Sequence, residues 1–208
     1  MNDSTWIRDL LIGGSLTVVA WVGLAYFASA AGRRYERKLW PNWPHDAPTN
    51  LRLQPNDTNC SREQRDLYYE AISALVGLDI ARTAEEGDEH RLKQITNDAV
   101  TGLRHLFRTI DTKGLLSIHN EDYGFTRNLS GLAPFWFPAS MASAAAAWAV
   151  FAIANSGLLL AILASITLII ALVLVTSRRS IVSHRAERYA DSFFGTLVEA
   201  HRNHVQKS

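Results

Sequence analysis

The residues best equipped for chemistry stand in one run, His119-Asn120-Glu121-Asp122-Tyr123-Gly124-Phe125-Thr126-Arg127-Asn128. An imidazole, two carboxylates, a phenol and a guanidinium could move a proton or hold an anionic group such as a lipid headgroup. The candidate ligand or partner site is therefore His119, Asn120, Glu121, Tyr123, Arg127 and Asn128. A structural reading accounts for the same residues and carries more weight. Asn120 would cap a short helix, with Glu121 and Asp122 in its electropositive first turn and Arg127 near its far end. Tyr123 and Arg127 are four apart and share a face, as do Phe125 and Leu129, while Gly124 suits close packing. No residue is assigned a catalytic role.

Elsewhere the usual signatures of an enzyme are missing. Histidines stand at 45, 90, 105, 119, 184, 201 and 204, with no HExxH spacing and no carboxylate pattern for two metals. There is no phosphate-cradling glycine loop and no GxSxG elbow. The single cysteine, Cys60, can form no intramolecular disulfide and has no histidine nearby in sequence, so it reads as an ordinary thiol. No metal and no cofactor is expected, and a non-enzyme is the better reading. The 21 basic and 20 acidic residues leave a net charge of +1, which sets aside nucleic-acid binding.

The elements that must position the run are dictated by two uncharged stretches, residues 10–32 and 128–177. Crossing a hydrocarbon core of about 30 Å takes about 20 helical residues, because backbone groups in lipid must be satisfied within the segment. The first stretch is long enough for one span. The second is about twice as long and is interrupted by Ala154-Asn155-Ser156-Gly157, a polar turn ending in glycine. The expected order is a short external N-terminus at 1–9, span one at 10–32, and a cytosolic helical segment at 33–132. Span two at 133–153, an external turn at 154–157, span three at 158–176 and a cytosolic amphipathic tail at 177–208 follow. The fold class is all-α.

Orientation follows from the basic residues beside the spans. Arg33, Arg34, Arg37 and Lys38 follow span one, and Arg178 and Arg179 follow span three, whereas the turn at Asn155 is uncharged. This predicts a multi-pass protein of the cell inner membrane with the N-terminus outside and the main segment and C-terminus in the cytosol. The alternative is an export signal cleaved after Ala28-Ser29-Ala30, which the basic cluster just beyond opposes. Trp40, Trp43, Phe135, Trp136 and Phe137 suit an interfacial belt, and Pro134 and Pro138 a helix start. Ala139, Ser143 and Ala147 recur every four residues, a spacing that lets helices approach closely in lipid.

Residues 33–128 hold 14 basic and 15 acidic side chains, as expected of a solvated segment. Its proline-rich start, 39–59, predicts coil. Ser61 with Gln64 forms a capping box that opens an amphipathic helix ending at Gly77, and a second is expected over about 88–110. In the tail, Val182, Ala186, Tyr189, Phe193, Leu197 and Ala200 line one helical face. That face suits packing on the protein's own helices, self-association, or the membrane surface.

Three stretches together resemble a family of uncharacterised small bacterial membrane proteins: Arg34-Tyr35-Glu36-Arg37-Lys38-Leu39-Trp40, Pro48-Thr49 with Leu51 and Leu53, and Tyr123-Gly124-Phe125-Thr126-Arg127-Asn128-Leu129-Ser130-Gly131-Leu132. The family's pattern is an Asn-x-x-Tyr-Gly-Phe-x-Arg-Asn-Leu-x-Gly-Leu block before paired spans. The resemblance implies this architecture and a bacterial origin, and no activity. The expected function is a non-enzymatic, membrane-anchored component that binds a cytosolic protein partner or responds to a signal. Two alternatives stay open, a membrane-perturbing oligomer or pore and a membrane-surface enzyme. The expected partners are the lipid bilayer, a cytosolic protein and further copies of the chain through the tail helix or second span, with no nucleic acid.

Overall fold

The computed structural model describes residues 3–110 and 114–207, with side chains from Thr17 onward. Among the described residues there are seven helices and no strand: α1 Asp3–Leu39, α2 Pro48–Leu51, α3 Arg62–Val76, α4 Ile80–Glu85, α5 Glu89–Ile110, α6 Leu115–Ala154 and α7 Leu158–Val205. They form two compact units, Met1–Glu36 with Arg127–Arg178, and Arg37–Thr126 with Arg179–Ser208.

Three of the helices are longer than the sequence divisions suggested. The expected boundaries at 32/33, 132/133 and 176/177 all fall inside helices, since α1, α6 and α7 run through them. Asn120 does not cap a helix, because α6 has already begun at Leu115, and Pro134 and Pro138 lie inside α6 rather than at its start. Proline in mid-helix removes a backbone donor, a loss that costs less where neighbouring helices cover the freed carbonyl. Between α6 and α7 the non-helical residues are 155–157, with Asn155 and Gly157 at positive φ of 46° and 82°.

Among the described residues, α6 and α7 are the two helices long and apolar enough to cross a membrane. Their most apolar windows are only 17% and 11% buried, so the apolar groups face outward instead of forming a core. Within the first unit the buried positions of these helices are small residues, among them Ser140, Ala144, Ala147, Ala161 and Ala171. Ala139 and Ser143, two members of the four-residue repeat, are exposed. Trp148 Nε1 donates to Ser165 Oγ at 2.9 Å across the hairpin. On α1, Val18, Val19, Trp21, Leu24 and Tyr26 are likewise exposed. The first part of the expected first span, residues 10–16, lies outside the described side chains.

The second unit has a conventional core. Ser61 caps α3 by accepting from Gln64 N at 3.2 Å, and Gly77 closes the helix in the left-handed conformation at φ 75°. Ile72, Leu103, Phe107, Phe193, Phe194 and Leu197, from α3, α5 and α7, are essentially fully buried. The tail stripe of Val182, Ala186, Tyr189, Phe193 and Leu197 is thus covered inside the chain. Phe194 stacks on Tyr68 at 4.3 Å and Phe193 meets Phe107 edge-on at 5.0 Å.

The segment 39–59 is more ordered than coil. It contains α2, and Leu53 is fully buried. Local propensity could not show this, because long-range polar contacts hold the backbone. Arg65 Nη1 donates to the Gln54 and Asp57 carbonyls at 2.8 and 3.1 Å, and the Tyr69 hydroxyl donates to the Leu53 carbonyl at 2.7 Å.

Burial pushes the Tyr69 phenol up to about 12. An unfolded tyrosine titrates at about 10, so between these values the unfolded chain loses its proton first and folding weakens as pH rises. We expect the urea midpoint of the second unit, followed by circular dichroism, to fall from pH 10 to pH 12. Tyr69→Phe should begin about 1 kcal/mol less stable at pH 8, from the lost hydrogen bond, and show a shallower fall. Equal slopes for the two proteins would contradict this.

Candidate functional site

The six sequence-predicted residues are divided between the two units. His119, Asn120, Glu121 and Tyr123 belong to the second unit, and Arg127 and Asn128 to the first. Asn120 and Glu121 are exposed, and Glu121 accepts from Ser117 Oγ at 3.2 Å. His119 is half-buried. Tyr123 is buried between the rings of Trp40 and Tyr189, each with its centroid 6.4 Å away. Asp122, set aside by the sequence reading, pairs with Arg185 of α7 at 3.1 Å.

Arg127 and Asn128 serve the crossing of α1 and α6 within the first unit. Arg127 Nη1 lies 3.3 and 3.4 Å from the two Glu36 oxygens, and its Nε and Nη2 donate to Asn128 Oδ1 at 3.3 and 3.2 Å. The Glu36 side chain is 6% exposed and that of Arg127 19%, so the pair is largely removed from water. Two glycines allow it. A Cβ on Gly131 would come within 2.5 Å of Ala31 C and Gly32 N, and one on Gly32 within 2.9 Å of Asn128 Cα. Gly124, by contrast, has open space where a side chain would be. Breaking a buried pair leaves a charge without compensation, at a cost of about 3–5 kcal/mol.

The second unit holds a site that the sequence reading missed. Arg52, in the loop after α2, donates to Glu187 at 3.0 Å, lies 2.7 Å from Asp191, and sits with its Cζ 5.9 Å over the Phe194 ring. Burial by itself would lower the Arg52 pKa, but the hydrogen bonds and charges of Asp191 and Glu187 outweigh it and raise it. The sequence carried a signal for this cation site, since positions 187, 191 and 194 follow helical spacing along α7. Beside it opens a groove of ≈ 700 Å³ whose lining includes Gln64, Tyr68, Gly195, Arg202, Asn203 and Gln206.

This groove is lined largely by polar side chains. Its volume is that of a ligand site, but carboxamides and charges replace the apolar lining of most small-molecule pockets. Carboxamides offer donor and acceptor together and match a peptide backbone or another amide. Burial raises the Tyr68 phenol, which stays protonated and accepts from Gln64 Nε2 at 2.6 Å. Burial likewise pushes the Cys60 thiol up, away from the thiolate needed for nucleophilic attack. Among the described residues, no three His, Cys, Asp or Glu side chains are grouped to hold a metal ion.

Comparison with known proteins returned no relative: no family matches the chain, and no curated protein or solved structure is similar to it.

The ion pair makes a quantitative prediction. Arg127→Ala should destabilise the first unit by about 3–5 kcal/mol, and the Glu36→Ala, Arg127→Ala double variant by clearly less than the sum of the single losses. Thermal unfolding of the four proteins in detergent measures this coupling, and strictly additive losses would refute it.

Proposed function

We propose that the chain is a non-enzymatic, multi-pass component of a bacterial inner membrane whose cytosolic unit binds a protein partner in the Arg52 to Arg202 groove. The observation that carries this reading is the contrast within α7. Residues such as Leu159, Ile169 and Val173 are 70%, 60% and 54% exposed, whereas Val182, Phe193 and Leu197 of the same helix are fully buried. Exposed apolar area of that extent is unfavourable in water by about 25 cal/mol per Å², so it calls for lipid around it. In this reading α1, α6 and α7 supply three spans. Basic residues at 33, 34, 37, 38, 178 and 179 then favour a cytosolic second unit and an external turn at 154–157. The likeness of the Tyr123 to Leu132 block to small bacterial membrane proteins belongs to the same reading.

For the groove, the support is its amide-rich lining and the absence from it of any nucleophile paired with a base. A photo-crosslinking residue at Gly195, where an added side chain meets nothing within 4 Å, tests the claim in living cells. A discrete polypeptide adduct is expected from position 195 and not from position 62 on the far more exposed Arg62. The adduct should fall when Arg202→Glu and Asn203→Ala alter the groove. Identical adducts from both positions, or none from 195, would contradict partner binding there.

A further inference from the structure

Among the described side chains of the first unit the charges are unequal. Glu36 is the only carboxylate among its described side chains, against Arg33, Arg34, Arg127 and Arg178. Glu36 faces Arg127, with both oxygens within 3.4 Å of Nη1. Among the described side chains of the unit, no second carboxylate stands beside Arg33, Arg34 and Arg178. Arg178 of α7 lies with its Cζ 5.1 Å over the ring of Tyr35, which brings it to the turn of α1 that carries Arg33 and Arg34. Arg33 donates to Ser29 Oγ at 2.7 Å and keeps further donors on its guanidinium. Both α1 arginines are exposed.

Directly along the same two helices the surface becomes apolar. Tyr26 and Phe27 of α1 are 73% and 48% exposed, and Leu172 and Val173 of α7 are 47% and 54% exposed. They precede the arginines by five to eight residues, or about 8–12 Å of helix. We infer that Arg33, Arg34 and Arg178 form a binding site for the headgroup of an anionic phospholipid, whose acyl chains lie against the exposed apolar residues of α1 and α7. Guanidinium forks match phosphate oxygens, and the Tyr35 ring holds one fork in place by cation–π contact. A free phosphate shares the headgroup chemistry but leaves the adjoining apolar surface without a role.

The inference rests on the membrane reading, and the experiment separates the two. Membranes holding the full chain are first washed at alkaline pH, and the chain that stays with them is then solubilised in detergent and reconstituted in nanodiscs of phosphatidylcholine with an equal mole fraction of phosphatidylglycerol. Retained lipids are counted by native mass spectrometry. The expected result is a chain that resists extraction and retains phosphatidylglycerol in preference to phosphatidylcholine. The preference should drop by about fivefold for each of Arg33→Gln, Arg34→Gln and Arg178→Gln, and hold in Arg82→Gln of the second unit. Release by alkaline extraction would overturn both readings. A chain that stays embedded but retains the two lipids equally would overturn the lipid site alone, as would displacement of the lipid by millimolar inorganic phosphate. Should a variant not fold, the wild-type comparison of the two lipids still decides.

Discussion

Everything in this molecule depends on how one unbroken helix, α7, is solvated along its length. Over Leu158–Val205 the backbone hydrogen bonds continue without a break, but the side chains change their surroundings midway. Up to Val175 the apolar groups point outward, with only a few small residues such as Ala161 and Ala171 buried. From Val182 the apolar groups turn inward to meet α3 and α5. A helix can carry both regimes because it satisfies its own backbone whatever surrounds it. The side chains alone must then match the medium, and Arg178 and Arg179 mark the change.

The two units hold together by different means. In the first, α1 meets α6 where side chains are missing: Gly32 faces Asn128 and Gly131 lies on the backbone of α1, and buried serine and alanine accompany them. Such contacts suit an environment where burial of apolar area gives no drive and close packing must suffice. The Glu36–Arg127 pair joins α1 to α6 beside these glycines, with both side chains largely removed from water. In the second unit, aromatic and aliphatic burial dominates, and polar bonds from Arg65 and Tyr69 fasten the proline-rich loop to α3.

The helical class, the two apolar helices and the turn between them were legible because each rests on a local signal: an uncharged run, a capping box, a glycine at positive φ. Helix lengths were not. Charged residues flank the uncharged runs, but α1, α6 and α7 keep their hydrogen bonding through 32/33, 132/133 and 176/177, so these positions mark no helix ends. The contacts made by the run from His119 to Asn128 could not be read from its sequence for a related reason. Dense polarity in sequence becomes a site only if the side chains converge, and here Tyr123 enters an aromatic stack while Arg127 turns to Glu36, 91 positions earlier. Arg52 stood out in no local pattern, because its partners Glu187 and Asp191 lie more than 130 positions away. Its groove exists only once the tail has packed on α3.

The central claim is that the α6–α7 hairpin crosses a membrane with the second unit on the cytosolic side. Its most direct test is cysteine accessibility in a Cys60→Ala background, using a membrane-impermeant maleimide on intact cells and on inverted vesicles. Asn155→Cys in the turn should label from outside in intact cells, while Arg62→Cys and His204→Cys should label only in inverted vesicles. Labelling of Arg62→Cys from outside, or of all three positions from the same side, would contradict the account.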